Sequence, residues 1–291
     1  MSAGDIGVLL TFDGDRVRGF ANACRHRGHE LLPEGRSAAR GAVVCPYHGW
    51  SYRLDGSLAT APAMRGLAGF DPAGQGLVEL PVTVWHGWVF VNATGGAPPF
   101  VDYLGAMAGI VAPYRPERLR LSARHGYDVA PNWKVIVENY HECYRCSLIH
   151  PELCRVSPPT SGDNWDLPGV WIGGAMDLRE AAETMSLDGR SRGAFIEGAD
   201  RRTVRYAGLF LLVRAGGVVD ASYAVRFREL TNRQDWAACE SVQRGLASPH
   251  FRPGPLAPGE DAVHQWMTLV ARAYQDPASA FRAASTLLTG G

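Results

Sequence analysis

Several features common in proteins of this size are scarce in this chain of 291 residues. It lacks a charge imbalance: Lys plus Arg and Asp plus Glu both total 29, so the formal net charge is zero. No long-range basic field exists to hold nucleic acid or anionic lipid, and neither is expected as a partner. No apolar run approaches the ~20 residues that span a bilayer, and the N-terminus, MSAGDIGVLLTFDGD, has no basic segment ahead of a long apolar stretch. A soluble, cytoplasmic protein with no membrane partner is expected. There is no internal repeat and no low-complexity tract. Cysteine is also sparse, and six residues without an export signal argue against a disulfide framework and for reduced thiols free to bind metal.

What is present fills two domains. An apolar content of 46% can supply more than one core. Residues 5–92 carry short apolar runs (VLLTF, VRGFAN, AVVC, WVFVN) between glycine-rich turns, which predicts an all-β segment. A Gly/Pro seam, GGAPP at 95–99, marks the boundary, so domains over 1–98 and 99–291 are expected. From Asn132 the period turns helical, with Trp133, Ile136, Val137, Tyr140 and Tyr144 on one face and Glu138, His141, Glu142 and Arg145 on the other. Strands are predicted over 203–213 and 218–229, then a helix from about Asn232 and a last amphipathic helix over about 260–274. The fold class expected is α+β.

Two Cys–His pairs lie in the β segment: Cys24-x-His26, then eighteen residues, then Cys45-x-x-His48. Each pair falls on a turn between strands. Such turns can offer a thiolate and an imidazole apiece to a shared centre, either a tetrahedral zinc or an iron–sulfur cluster. Gly28, Gly49 and the turn at Pro46 would let backbone amides approach the sulfurs.

ACRHRGHELLPEG followed by CPYHGWSYRLDG resembles the Rieske [2Fe–2S] motif. The resemblance implies that Cys24 and Cys45 hold one iron and His26 and His48 the other. Imidazoles in place of two thiolates raise such a cluster to roughly −150 to +300 mV, against about −400 mV for plant-type ferredoxins. Further along, the chain resembles the catalytic domain of the Rieske non-heme iron oxygenases, the ring-hydroxylating and amine-demethylating group. Asn132-Trp133-Lys134 precedes Glu142-Cys143-Tyr144-Arg145, then His150, with Asp235 in NRQDWAACE.

That resemblance implies an N-terminal Rieske domain and a helix-grip-like catalytic domain. It also implies a mononuclear Fe(II) at His150 and Asp235 and Glu142 as the acid bridging to a neighbouring cluster. Electrons would come from NAD(P)H through a separate reductase or ferredoxin, in a homotrimer acting on a small-molecule substrate. O₂-dependent hydroxylation or oxidative demethylation is the activity implied, with methylated or quaternary amines as the substrate class most resembled.

Two departures stand out. The family's first histidine falls on Arg145, whose guanidinium has donors but no lone pair for iron. His141 lies a helical turn away, roughly 6 Å back along the axis, too far to replace it without rearrangement. A plain structural alternative pairs Arg145 with Glu142 at i, i+3, completed by Glu138; it leaves His150 as a helix-end cap and Asp235 in the first turn of a helix. Cys143 and Cys146 then read as packing cysteines. The second departure is a strand region between Tyr206 and Asp235 that is shorter than the family pattern. The rival function is therefore an electron-transfer subunit that has lost the mononuclear iron, and a third is a zinc-stapled binding module.

Overall fold

In the computed structural model, residues 2–3, 6–35, 41–119, 123–193, 196, 203–207, 210–212 and 221–275 are described. The chain divides into two compact units, Met1–Ala97 and Pro98–Gly291.

The first unit is antiparallel throughout. Strands β1 (Ser2–Ala3), β2 (Ile6–Phe12), β3 (Val17–Ala21), β4 (Ala42–Val44), β5 (Ser51–Arg53), β6 (Leu58–Thr60), β7 (Glu79–Leu80), β8 (Val82–Trp85) and β9 (Trp88–Val91) form three sheets. Their orders are β1-β2-β3-β7, β4-β5-β6 and β8-β9. A tight turn joins β2 to β3 because the Asp13 carboxylate accepts the main-chain N–H groups of Asp15 and Arg16 at 3.1 and 3.0 Å. Leu9, Phe20, Leu31, Val43, Trp50, Tyr52 and Leu77 are buried together, and Cys24 and Cys45 are part of the same core. Each fully buried side chain of this size contributes roughly 1.5–3 kcal/mol, so the two cysteines sit on a rigid base. Gly56 is required where it stands. Its φ is +84° and an added Cβ would come within 2.3 Å of the Phe20 ring.

The second unit is α+β. It contains α1 (Phe100–Leu104), α2 (Met107–Val111), α3 (Trp133–Tyr140), α4 (Cys146–Ile149), α5 (Pro151–Val156), β10 (Asp163–Asn164), β11 (Gly173–Asp177), β12 (Thr203–Ala207), β13 (Phe210–Leu212), α6 (Ser222–Leu246) and α7 (Asp261–Gln275). The strands pair antiparallel in the order β10-β11-β12-β13. Helix α3 is capped by Asn132, whose side chain accepts the Lys134 N–H at 3.0 Å. It lies against α6, where the Cys239 Sγ reaches the Val135 carbonyl at 3.9 Å and the Gln243 side chain accepts the Asn132 N–H at 2.7 Å. Phe227 of α6 is buried with Cys146, Leu153, Val156, Leu178, Ala182 and Met185.

Three sequence expectations need correction. The strand predicted over 218–229 is helix from Ser222 on, and residues 218–220 lie outside the described set. Tyr223, Val225 and Phe227 alternate like a strand, but Val225 is not among the buried residues, and Tyr223, Phe227 and Thr231 are, at the i, i+4 spacing of a helix. Asp235 therefore stands in mid-helix and not in a first turn. The helix from Asn132 stops at Tyr140, where the His141 N–H bonds the Glu138 carbonyl at 3.2 Å and tightens the last turn. Val135 is its buried residue, while Trp133 and Tyr144 are exposed. Because the chain leaves the helix there, Cys143 and Cys146 face each other across a turn and form a disulfide with Cα atoms 4.8 Å apart, which replaces the reading of both as packing thiols.

Candidate functional site

The first unit builds one turn twice. After β3, the Cys24 N–H bonds the His29 carbonyl and the Gly28 N–H bonds the Cys24 carbonyl, both at 2.8 Å. Between β4 and β5, the Cys45 N–H bonds the Trp50 carbonyl at 2.7 Å and the Gly49 N–H bonds the Cys45 carbonyl at 3.1 Å. Gly28 and Gly49 take nearly the same positive φ, +71° and +72°. Their amides close the loops onto the cysteine carbonyls.

The loops bring their side chains together in pairs. Cys24 and Cys45 are free thiols, 3% and 2% exposed. The His26 and His48 rings are exposed and lie 4.6 Å apart between centroids, with His26 stacked flat on Trp50 at 4.9 Å. Sequence reasoning missed Tyr52. Its hydroxyl lies 3.2 Å from the Cys24 Sγ and accepts the Arg25 N–H at 3.0 Å. Strand pairing puts it there, since Val43 and Tyr52 are register partners. Burial, and then the bond to Cys24, push the phenol well above its ordinary value, so it stays a donor.

The second unit gathers a different set. Asp235 Oδ1 accepts three hydrogen bonds: from Asn139 Nδ2 at 2.8 Å, Arg145 Nη2 at 2.6 Å and His150 Nε2 at 3.0 Å. Arg145 Nη1 donates to the Glu142 carboxylate and, at 3.0 Å, to the Glu142 carbonyl. The expected Glu142–Arg145 ion pair is thus present, but its second carboxylate is Asp235 and not Glu138. His150 Nδ1 bonds Gln234 Oε1 at 2.7 Å, and Gln234 Nε2 donates to Glu152 at 3.1 Å, which fixes the amide's orientation.

Burial lowers the His150 pKa, yet the bonds to Asp235 and Gln234 outweigh it and the net direction is up. Burial raises that of Asp235, but His150 and Arg145 bring it down. His141 is 2% exposed, and burial holds it neutral with a pKa of about 4. Asn139, Gln234 and Glu152 escaped sequence reasoning because no motif spacing distinguishes them.

A β domain presenting paired thiols and imidazoles, followed by an α+β domain of this kind, is the architecture of the Rieske oxygenases. The sequence agrees over most of its length. Residues 1–71 match the Rieske [2Fe-2S] domain, and residues 116–213 and 213–276 match the catalytic domain of the ring hydroxylating alpha subunit. The chain belongs to this family of Rieske-type ring-hydroxylating α subunits.

The carnitine monooxygenase oxygenase subunit of Acinetobacter baumannii is 39% identical over 151 residues, covering 50% of this chain and 39% of that protein. The glycine betaine monooxygenase oxygenase subunit of Pseudomonas aeruginosa is 28% identical over 308 residues, covering 83% of this chain and 71% of that one. The solved quaternary ammonium Rieske monooxygenase CntA superposes with a TM-score of 0.70 at 25% identity, covering 94% of this chain and 83% of that chain. The match to the carnitine relative thus spans well under half of that protein's length.

The family's cofactors are a [2Fe–2S] cluster and a mononuclear non-heme iron. Among the described residues no three His, Cys, Asp or Glu side chains gather as a single ion requires. A two-iron cluster makes no such demand, because its ligands come in pairs. Two buried thiols and two neighbouring imidazoles on matched loops, with a phenol aimed at one sulfur, fit it. The mononuclear position does not fit. His150 and Asp235 are together there, but the third side chain is a guanidinium already bound to both carboxylates.

Proposed function

We propose that this chain is the cluster-bearing component of an oxygenase system for small quaternary ammonium compounds. It takes single electrons from a separate NAD(P)H-dependent reductase and delivers them onward. The observation that carries this reading is the pair of matched loops at Cys24–His29 and Cys45–Trp50. The substrate class rests on the quaternary amines in the names of the relatives. When bound, the cluster supplies reversible one-electron transfer at a potential raised by its imidazole ligands.

The chain's own residues do the rest. Cys24 and Cys45 would hold the buried iron, and His26 and His48 the one nearer solvent, where a reductase docks. Trp50 fixes the His26 ring by stacking, and Tyr52 stabilises negative charge on the Cys24 sulfur. Homotrimeric assembly, in which one subunit's cluster serves its neighbour, belongs to the same reading. Among the described residues no helix is long and apolar enough to cross a membrane.

A second reading is favoured by the 3.0 Å contact of His150 Nε2 with Asp235 Oδ1. Two ligand atoms each about 2.1 Å from one metal, at right angles, are also about 3 Å apart. In this reading the chain itself performs the hydroxylation or demethylation, and Glu142 is the bridging acid.

One experiment tests both. Anaerobically purified protein is mixed with a Rieske-system reductase and NADH, and its visible absorption is followed. Bleaching is expected, with reoxidation by O₂ accelerated by carnitine, glycine betaine or choline only after an iron-bearing α subunit is added. Acceleration in the isolated protein establishes the second reading. A chain that is colourless after anaerobic purification, or that never bleaches, overturns both. Light scattering at three times the 31.5 kDa chain mass supports the trimer, and a strict monomer removes the bridging role of Glu142.

A further inference from the structure

We propose that the Arg145 guanidinium occupies the place of the mononuclear metal, so that the second unit is locked by charge and takes no iron. This rests on the cluster reading of the first unit only for its stoichiometric reference.

Asp235 Oδ1 already receives Asn139, Arg145 and His150, more than its two lone-pair sites, so a metal could bind that oxygen only by displacing a donor. Arg145 is the donor standing where a third ligand is needed, and it is held from both ends. Nη2 is on Asp235 and Nη1 is on Glu142, while Glu142 also accepts the Arg145 main-chain N–H at 3.3 Å. The side chain is 20% exposed, and its carboxylate partners are 23% and 11% exposed, so water screens the pairs only in part.

His150 and Asp235 alone supply two ligands of the three that the two-histidine, one-carboxylate site uses. His141 does not make up the number, since among the described residues no three His, Cys, Asp or Glu side chains gather as a single ion requires. A second guanidinium, that of Arg228, is half-buried and interacts electrostatically with Asp235. A dication would therefore enter a pocket whose positive charges are already in place.

The test counts iron against acid-labile sulfide in anaerobically purified protein. The cluster alone gives a ratio of about 1, and a cluster plus one mononuclear iron gives about 1.5. The native chain is expected at about 1. Arg145→His is expected to rise toward 1.5 after anaerobic Fe(II) incubation, and Arg145→Gln, which removes the charge without adding a ligand, is expected to stay near 1. Titration with Co(II), whose visible bands report coordination, should be silent for the native chain and should saturate at one ion in Arg145→His.

A native ratio near 1.5, or stoichiometric Co(II) binding by the native chain, overturns the proposal. So does an Arg145→His protein that melts like the native one and still takes no metal. If Arg145→His does not fold, the native Co(II) titration decides alone, silence supporting the proposal and binding overturning it. A sulfide content of zero would instead sink the cluster reading, and the Co(II) titration is then read in a Cys24→Ala, Cys45→Ala background, where the first unit offers no thiolate and silence still supports the proposal while binding overturns it.

Discussion

Replacing Tyr52 with Phe isolates a single hydrogen bond to the cluster position. Tyr52 is fully buried, and Phe keeps its ring packing, so the change removes one oxygen atom. Cluster-bound Cys24 carries no proton, and the Tyr52 oxygen already accepts the Arg25 N–H at 3.0 Å, so the phenol must be the donor in the 3.2 Å contact. Hydrogen bonds to charged groups contribute roughly 1.5–3 kcal/mol, and the reduced cluster, one electron richer, gains more from the bond than the oxidised one. If about 1 kcal/mol of that is the difference between the two redox states, it converts to roughly 40 mV for one electron, since a tenfold ratio is about 1.4 kcal/mol or 59 mV. Tyr52→Phe should therefore lower the midpoint potential by about 40 mV and leave the Arg25 N–H short of a partner, costing about 1–2 kcal/mol of stability. Potentiometric titration followed by EPR or circular dichroism reads the shift. An unchanged or raised potential, with the cluster intact, would refute the assignment of Tyr52 as donor to a cluster sulfur.

Gly56→Ala should destabilise the first unit by about 2–4 kcal/mol, because it places a methyl group 2.3 Å from the buried Phe20 ring at a left-handed φ of +84°; calorimetric melting measures this, and a change below ~1 kcal/mol would show that Phe20 can move aside. The pH profile of the second unit should fall on both sides of about 6.5. His141 titrates at about 4 in the fold against 6.5 when unfolded, so its contribution is present above 6.5 and lost as pH falls toward 4, by up to roughly 3 kcal/mol. His150 is shifted upward, so the stability from its charged ring is present below 6.5 and lost as pH rises through its raised pKa. His141→Gln should flatten the acid side and Asp235→Asn the alkaline side of denaturant midpoints measured against pH, and a native profile that is level from about pH 4 to pH 8 would contradict both assignments.

The cluster loops were legible in the sequence because their ligands are local. Cys24 with His26, and Cys45 with His48, each sit within a single turn whose shape is set by a glycine four residues after the cysteine. Tyr52 was not legible, since its place beside Cys24 depends on how β4 and β5 align. The second unit shows the same limit more strongly. Arg145 and its near partner Glu142 were visible at i, i+3, but the partner that makes Arg145 a bridge lies ninety residues away on α6. Packing of α6 against α3, and of its Phe227 against Cys146, brings Asp235 to it. The strand misread over 218–229 has a related cause, because Tyr223, Val225 and Phe227 satisfy a period of two over a short window while burial follows a period near four. For Cys143 and Cys146, spacing alone could not separate packing thiols from a disulfide; the chain's exit from α3 at Tyr140 did.

Asp235 and His150 persist beside an arginine that excludes their metal, and their charges explain why. With an effective dielectric constant near 20, a dication about 4 Å from the Arg145 guanidinium would meet a repulsion of about 8 kcal/mol, enough to cancel much of what three good ligands could supply. The guanidinium instead bridges Asp235 and Glu142, and Asp235 in turn accepts from Asn139, Arg145 and His150. The residues that would hold iron thus act as a structural network, and this has a measurable consequence. In a metal site, ligands without their metal are held close at some cost, so removing one is neutral or stabilising to the metal-free protein. Here Asp235→Ala should destabilise. It strips the acceptor from three donors and leaves Arg145 with Glu142 alone, a loss of about 2–4 kcal/mol after discounting the 3–5 kcal/mol of a fully buried pair for the 20% and 23% exposure of its members. Denaturant unfolding of chelator-treated protein at matched cluster content measures it. A metal-free Asp235→Ala protein as stable as the native chain, or more stable, would mean that Asp235 is kept as a ligand and not as the centre of a network.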